Sequence, residues 1–203
     1  MKKKDFLSYL LLMETLLKTE LSVLTTQFLP EPEVLKQCVT EVQDKLLVKP
    51  PIVVYGKVCH QHRDIGFFSN TSKGYQYSGQ LASSQPLTSG LTSLLQTVNA
   101  LYSAEFNGIL VNRYNDGSDY ISAHSDDESK LDKVGVVSVS YGGVRTFRIR
   151  NKKTKAIVAN VPMVSGLLVH MGGHFQKEFT HEIPLEKRID DCRYSFTFRK
   201  HLE

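Results

Sequence analysis

Arg193–Tyr194–Ser195–Phe196–Thr197–Phe198–Arg199 alternates without a fault. On a pleated strand successive side chains point to opposite faces. Tyr194, Phe196 and Phe198 therefore share one face, and Arg193, Ser195, Thr197 and Arg199 share the other. The aromatic face belongs to a core. The polar face presents two guanidinium groups with two hydroxyls between them. A solvated edge strand would account for that pattern, and so would a bound dicarboxylate, because Arg pairs with carboxylate bidentately. A second alternating run, Leu110–Val111–Asn112–Arg113–Tyr114, puts Asn112 and Tyr114 on one face, where both could hold the same small anion.

Working outward, short β-branched and aromatic runs fill the chain from Ile52 onward. They are Ile52–Tyr55, Tyr75–Tyr77, Gly108–Tyr114, Val134–Tyr141, Thr146–Ile149, Ala156–Val161, Gly166–Met171 and Tyr194–Phe198, separated by Gly, Ser, Asn and Asp. Many short strands after a helical start predict an antiparallel sandwich or barrel, a mainly β (α+β) fold. Neither a GxGxxG nor a GxxxxGK[ST] run occurs, so a nucleotide-binding parallel sheet is excluded. Helices are expected from Val34 to Leu46, after Pro30 and Pro32, and from Thr88 to Ser103. The first would bury Val34, Cys38, Val42 and Leu46; the second Leu91, Leu94, Leu95, Val98 and Leu101. At the N-terminus Phe6, Leu10, Met13 and Leu17 recur at helical spacing, which predicts a helical extension over residues 1–25. Asp5 and Glu14 interrupt the apolar run, so it reads as neither a signal peptide nor a membrane span.

With 203 residues, 41% hydrophobic and 23% charged, the chain can bury a substantial core. Lys+Arg 25 against Asp+Glu 21 leaves +4, which permits a polyanionic partner without requiring one. Cys38, Cys59 and Cys192 form no CxxC, so a disulfide framework or zinc knuckle is not expected. The reading is an intracellular protein, cytoplasmic or nuclear, not secreted.

Seven histidines occur. His60, His62 and His201 have polar or terminal surroundings and are expected at the surface. His124 opens His124–Ser125–Asp126–Asp127–Glu128. Residues i and i+2 of an extended backbone point the same way, so His124 and Asp126 could hold one cation together. A third ligand would come from His170, His174 or His181. Two histidines and one carboxylate leave coordination positions open, as in non-haem iron oxygenases.

Taken together, these residues resemble the AlkB family of Fe(II)- and 2-oxoglutarate-dependent dioxygenases. Asn112-x-Tyr114, His124-x-Asp126 and the Arg193–Arg199 strand are similar to the family's three motifs, in family order. Phe28–Leu29–Pro30 and Gly74–Tyr75–Gln76–Tyr77–Ser78–Gly79 extend the resemblance over roughly residues 26 to 200. It implies a double-stranded β-helix (jelly-roll) core with N-terminal and flanking helices. The dioxygenase domain would span 26–203 and include a nucleotide-recognition segment at about 52–80. It also implies His124, Asp126 and His181 as Fe(II) ligands, and Asn112, Tyr114, Arg193, Ser195, Thr197 and Arg199 around 2-oxoglutarate, with O2 as co-reactant. Ser195 stands where the family usually has Asn.

The function implied is oxidative dealkylation of N-alkylated bases in DNA or RNA by a monomer with no membrane span, releasing formaldehyde and succinate. Tyr77 and His124 would then sandwich an unstacked base, and Tyr75 and Glu128 would contact it. Arg145 to Lys155 carries six cations in eleven residues. Arg148, Arg150, Lys152 and Lys153 are candidates to track phosphates, with Arg63 a further one; an ordinary solvated hairpin is the competing reading. The alternative function is a 2-oxoglutarate-dependent hydroxylase or demethylase of a protein or small molecule.

Overall fold

A computed structural model describes residues 13–54, 56–77, 80–126 and 134–201. Within it the expected β-rich architecture is present as two packed sheets.

The first sheet has nine strands. They are β1 (Glu14–Lys18), β2 (Ser22–Phe28), β5 (Asp64–Phe68), β6 (Gly74–Tyr77), β7 (Gln80–Gln85), β8 (Gly108–Tyr114), β10 (Val136–Gly142), β13 (Leu167–Gly173) and β15 (Arg193–Arg199). Their spatial order is β1-β2-β13-β10-β15-β8-β5-β7-β6. The second sheet runs β12 (Ile157–Met163), β11 (Arg145–Asn151), β14 (Phe179–Ile183), β9 (Ile121–His124). A separate hairpin pairs β3 (Pro51–Val54) with β4 (Lys57–His60).

β15 lies at the middle of the large sheet, between β10 and β8. All seven of its residues are buried, which removes the edge-strand reading. It pairs antiparallel with β8, placing Arg193 opposite Tyr114 and Ser195 opposite Asn112. The two alternating runs picked out in the sequence are therefore neighbours.

The aromatic face of β15 packs under two helices. In α1 (Val34–Val42) Leu35, Cys38 and Val42 are buried. In α2 (Ser89–Tyr102) the Thr88 hydroxyl accepts the Leu91 N–H as an N-cap, and Leu91, Leu94 and Val98 are buried. These side chains join Phe68, Phe106, Ile109, Val111, Phe196 and Phe198 in one core. A second core fills the space between the sheets. Leu24, Val136 and Val169 from the large sheet meet Phe147, Ile149, Met163 and Ile183 from the small one. A last short helix, α3 (Phe175–Glu178), leads into β14 and sets Phe175 and Phe179 in this core.

The N-terminal expectation needs correction. Residues 14–18 and 22–28 are strands, not a helix; residues 1–12 lie outside the described part. β2 carries Val23, Thr25 and Thr26, which suit a pleated surface. It pairs with β13 at seven successive positions, from Leu167 opposite Phe28 to Gly173 opposite Ser22. Long-range pairing outweighs the helical spacing of the leucines. All three cysteines are free, Cys38 buried and Cys59 and Cys192 exposed.

Candidate active site

The two sheets diverge over a cleft lined by Arg63, Tyr75, Asn112, Tyr114, His124, Asp126, Phe147, His181, Arg193, Ser195, Thr197 and Arg199. β9 and β14 pair so that His124 and His181 stand directly opposite. Asp126 follows at the end of β9. Its Oδ1 lies 3.8 Å from His124 Nε2, and its Oδ2 lies 3.8 Å from His181 Nε2. One donor atom from each residue falls within 4.8 Å of the others, a spacing that a single cation could span. His174 is exposed at the start of α3. His170 is half-buried, with Nε2 at 2.7 Å from the Val134 carbonyl. Of the three histidines considered, His181 joins the cluster.

The protonation states suit metal binding. Burial pushes the His181 imidazole down to about 3, with the adjacent His124 contributing. Burial also lowers His124, against the pull of Asp126. Burial opposes ionisation of Asp126, but Arg199, and after it the two imidazoles, hold its carboxyl down at about 2. Arg199 Nη2 sits 3.4 Å from Asp126 Oδ2. At neutral pH the cluster is two neutral imidazoles and one carboxylate, the forms that ligate a metal. The His124 ring is oriented by Nδ1, 2.8 Å from the Ser122 carbonyl, and Phe147 stacks on His181 at 5.2 Å.

A fully buried cationic pocket adjoins the triad. Arg193 donates from Nε to Ser140 Oγ at 2.8 Å, while its Nη1 has no hydrogen-bond partner among the described residues. Burial lowers this guanidinium to about 10, so it stays charged at neutral pH. A buried charge with an unused donor is costly unless a ligand completes it. A carboxylate is the fitting group. The Tyr114 ring lies 5.3 Å from the same guanidinium. Asn112 donates to Ser195 Oγ at 3.4 Å, and Thr197 meets the Ser138 hydroxyl at 3.2 Å. All six expected cosubstrate residues line this one cleft.

The substrate candidates divide. Tyr75 is buried on β6, with Phe67 at 6.0 Å and the Arg199 guanidinium 4.5 Å from its ring centre. Tyr77 shares its strand, but its side chain is outside the described part, as are Glu128, Ser78 and Gly79. Arg63 is not aimed at a surface track. It is buried and donates to Asn112 Oδ1 at 2.8 Å, inside the cleft. Arg148 and Arg150 flank Glu182 on the cleft rim, at 3.4 and 2.9 Å. Lys152 Nζ donates to the Gln176 carbonyl at 2.6 Å; Lys153 and Lys155 are exposed.

Arg145 departs from the phosphate-tracking expectation. Its side chain is 0% exposed and donates to Glu186 and to the Asp116, Asp119 and Pro184 carbonyls. The signal was present in the sequence, since Arg145 shares the strand face of Phe147 and Ile149. Glu182 and Glu186, which neutralise this basic strand, carried no motif. His201, expected at the surface, is half-buried and stacks on Phe67 at 5.1 Å.

A fold with facing sheets, a His–Asp–His cluster and a buried arginine awaiting a carboxylate defines a non-haem iron dioxygenase architecture. The chain belongs to the 2OG-Fe(II) oxygenase superfamily, whose family model matches residues 22–199. Within that superfamily the resemblance to the AlkB family is borne out. The chain is 30% identical over 157 residues to DNA oxidative demethylase ALKBH2 of Homo sapiens, covering 73% of this chain and 60% of that protein. It is 35% identical over 103 residues to alpha-ketoglutarate-dependent dioxygenase alkB homolog 3 of Rattus norvegicus, covering 46% and 35%. The aligned part spans less than two thirds of these relatives. The solved structure of OsALKBH1 superposes with a TM-score of 0.56 at 15% identity, covering 93% of this chain and all of that one, which supports the jelly-roll fold. Superfamily membership brings Fe(II), 2-oxoglutarate and O2 as cofactor and co-reactants.

Proposed function

We propose that this chain is an oxidative demethylase of N-alkylated bases in nucleic acid, acting on DNA inside the cell. The observation that carries the reading is the juxtaposition of the His124–Asp126–His181 cluster with Arg193 Nη1, a buried donor with no partner among the described residues. Similarity to a protein named DNA oxidative demethylase supports the substrate class.

In this reading His124 Nε2, Asp126 and His181 Nε2 hold Fe(II). Arg193 binds the far carboxylate of 2-oxoglutarate, with Tyr114 beside it, and Asn112 and Ser195 stand near the chelating end. Arg199 keeps Asp126 ionised and oriented. With Fe(II) and 2-oxoglutarate bound, O2 would supply the oxidising power: one oxygen atom goes to 2-oxoglutarate, which leaves as succinate and CO2, and the other converts an N-methyl group to a hydroxymethyl group, which leaves as formaldehyde. The protein's own task is positioning. The burial of Arg193 and Arg199 keeps water from competing for the anion. Tyr75 and Phe147 offer apolar walls to an unstacked base, and Lys153 and Lys155 lie on an exposed turn where phosphates could pass. In this reading the chain acts as a monomer. Among the described residues no helix is long and apolar enough to cross a membrane.

The test is succinate release with Fe(II), 2-oxoglutarate and a panel of N-methylated DNA and RNA oligonucleotides. Stimulation by methylated but not unmethylated strands is the expected result. Stimulation only by a protein extract or metabolite pool would transfer the chain to the alternative hydroxylase reading.

A further inference from the structure

β9 ends at His124, so no sheet ladder holds Asp126. Besides the Arg199 contact with the carboxylate, two bonds among the described residues fix this stretch. The Asp126 N–H donates to Gln176 Oε1 at 2.9 Å, and Ser125 Oγ donates to the Phe179 carbonyl at 2.9 Å. Both acceptors lie at the junction of α3 and β14, the strand that carries His181. The carboxylate ligand and the second histidine are thus anchored to one piece of backbone.

The Gln176 amide has one sensible orientation. Only its oxygen can accept the Asp126 N–H, which leaves its Nε2 toward Met171 Sδ at 3.6 Å. The backbone around Gln176 is itself pinned. Lys152 donates from Nζ to the Gln176 carbonyl at 2.6 Å and from its N–H to the Glu178 carbonyl at 2.9 Å. A half-buried side chain on a short, cross-braced helix reaches over to the one ligand that lacks strand support.

We propose that Gln176 is a positioning residue for the metal site, setting Asp126 at bonding distance from the position shared with His124 and His181. The inference rests on the reading of that cluster as the iron site. Groups that orient a ligand without touching the metal commonly change metal affinity by about 10- to 100-fold.

The test is Mn(II) binding to the full chain, followed by the spectrum and depletion of free Mn(II), with no turnover involved. Gln176→Met keeps the length but loses the strong acceptor. Gln176→Asn withdraws the acceptor by one methylene. Each is expected to raise the Mn(II) dissociation constant about tenfold or more, with the metal-free melting temperature little changed. Gln176→Glu, which keeps an acceptor within reach, is expected to bind at least as tightly as the parent. Parental affinity in whichever of the first two variants folds overturns the proposal, as does a comparable loss in Gln176→Glu. His124→Ala separates the two levels. Parental Mn(II) binding in that variant would defeat the metal reading itself, whereas parental binding in the Gln176 variants alone defeats only this inference.

Discussion

At the scale of single residues, the site is decided by charges placed where water is scarce. Arg193 is the clearest case, a buried guanidinium with one donor unused among the described residues. Arg193→Ala should raise the 2-oxoglutarate KM by about 30-fold or more, since a charge-assisted bond contributes about 2–3 kcal/mol. An unchanged KM would mean that the cosubstrate's carboxylate is held elsewhere. Arg145 shows the opposite use of the same side chain. It bridges Glu186 and three main-chain carbonyls, so Arg145→Met should destabilise the fold by about 3 kcal/mol. Its effect on the salt dependence of nucleic-acid binding in whatever remains folded should be negligible; a clear drop in that slope would restore it to the phosphate surface. The shared polar faces of β8 and β15 and the His124–Asp126 pair were legible in the sequence because alternation and the i, i+2 rule act locally; His181 was singled out only through the family resemblance. Gln176 and Glu186 were not, because what they do depends on partners far away in the chain.

At the scale of elements, strands with an unambiguous period were read correctly, and β8 was bounded to the residue. β1 and β2 were misread because the helical spacing of Phe6, Leu10, Met13 and Leu17 was extended over residues 1–25, whereas the pairing of β1 with β2 and of β2 with β13 appears only in three dimensions. β4, β5, β7, β9 and β14 were missed; β4, β9 and β14 are short, polar in part, and defined by their neighbours. One element-level contact carries a pH signature. Glu41 on α1 accepts from Gln37, Ser89 and the Gly90 N–H, fastening the start of α2. Burial opposes its ionisation, but the Thr88, Gln37 and Ser89 bonds outweigh that and bring its carboxyl from 4.5 to about 2. A pKa lowered on folding stabilises above 4.5, and that contribution fades as pH falls toward 2. Glu41→Gln should therefore melt lower than the parent at pH 7, with the two converging as the pH falls to about 2. Parallel melting curves at both pH values would contradict this. The turn between β11 and β12 is the element assigned to phosphates. Removing Lys153 and Lys155 together should weaken DNA binding and reduce the log–log salt slope by about 2. An unaltered slope would make the turn ordinary surface.

At the scale of the whole molecule, a modest net charge of +4 conceals strong local fields. Three arginines, Arg63, Arg193 and Arg199, line the cleft, and Arg145 is fully buried nearby. Exposed lysines sit on the adjoining turn. The fold brings the His124–Asp126–His181 cluster from the small sheet against the cationic face of β15 in the large one, so neither sheet alone holds the site. In the proposed function that assembly couples oxidation of the cosubstrate to demethylation of a nucleic-acid base. The direct test follows formaldehyde and succinate in the same reaction on an N-methylated DNA strand. Equimolar release of both, abolished by Asp126→Ala and absent with unmethylated DNA, is the result predicted. Succinate without formaldehyde from any methylated strand, or undiminished turnover by Asp126→Ala, would contradict the account.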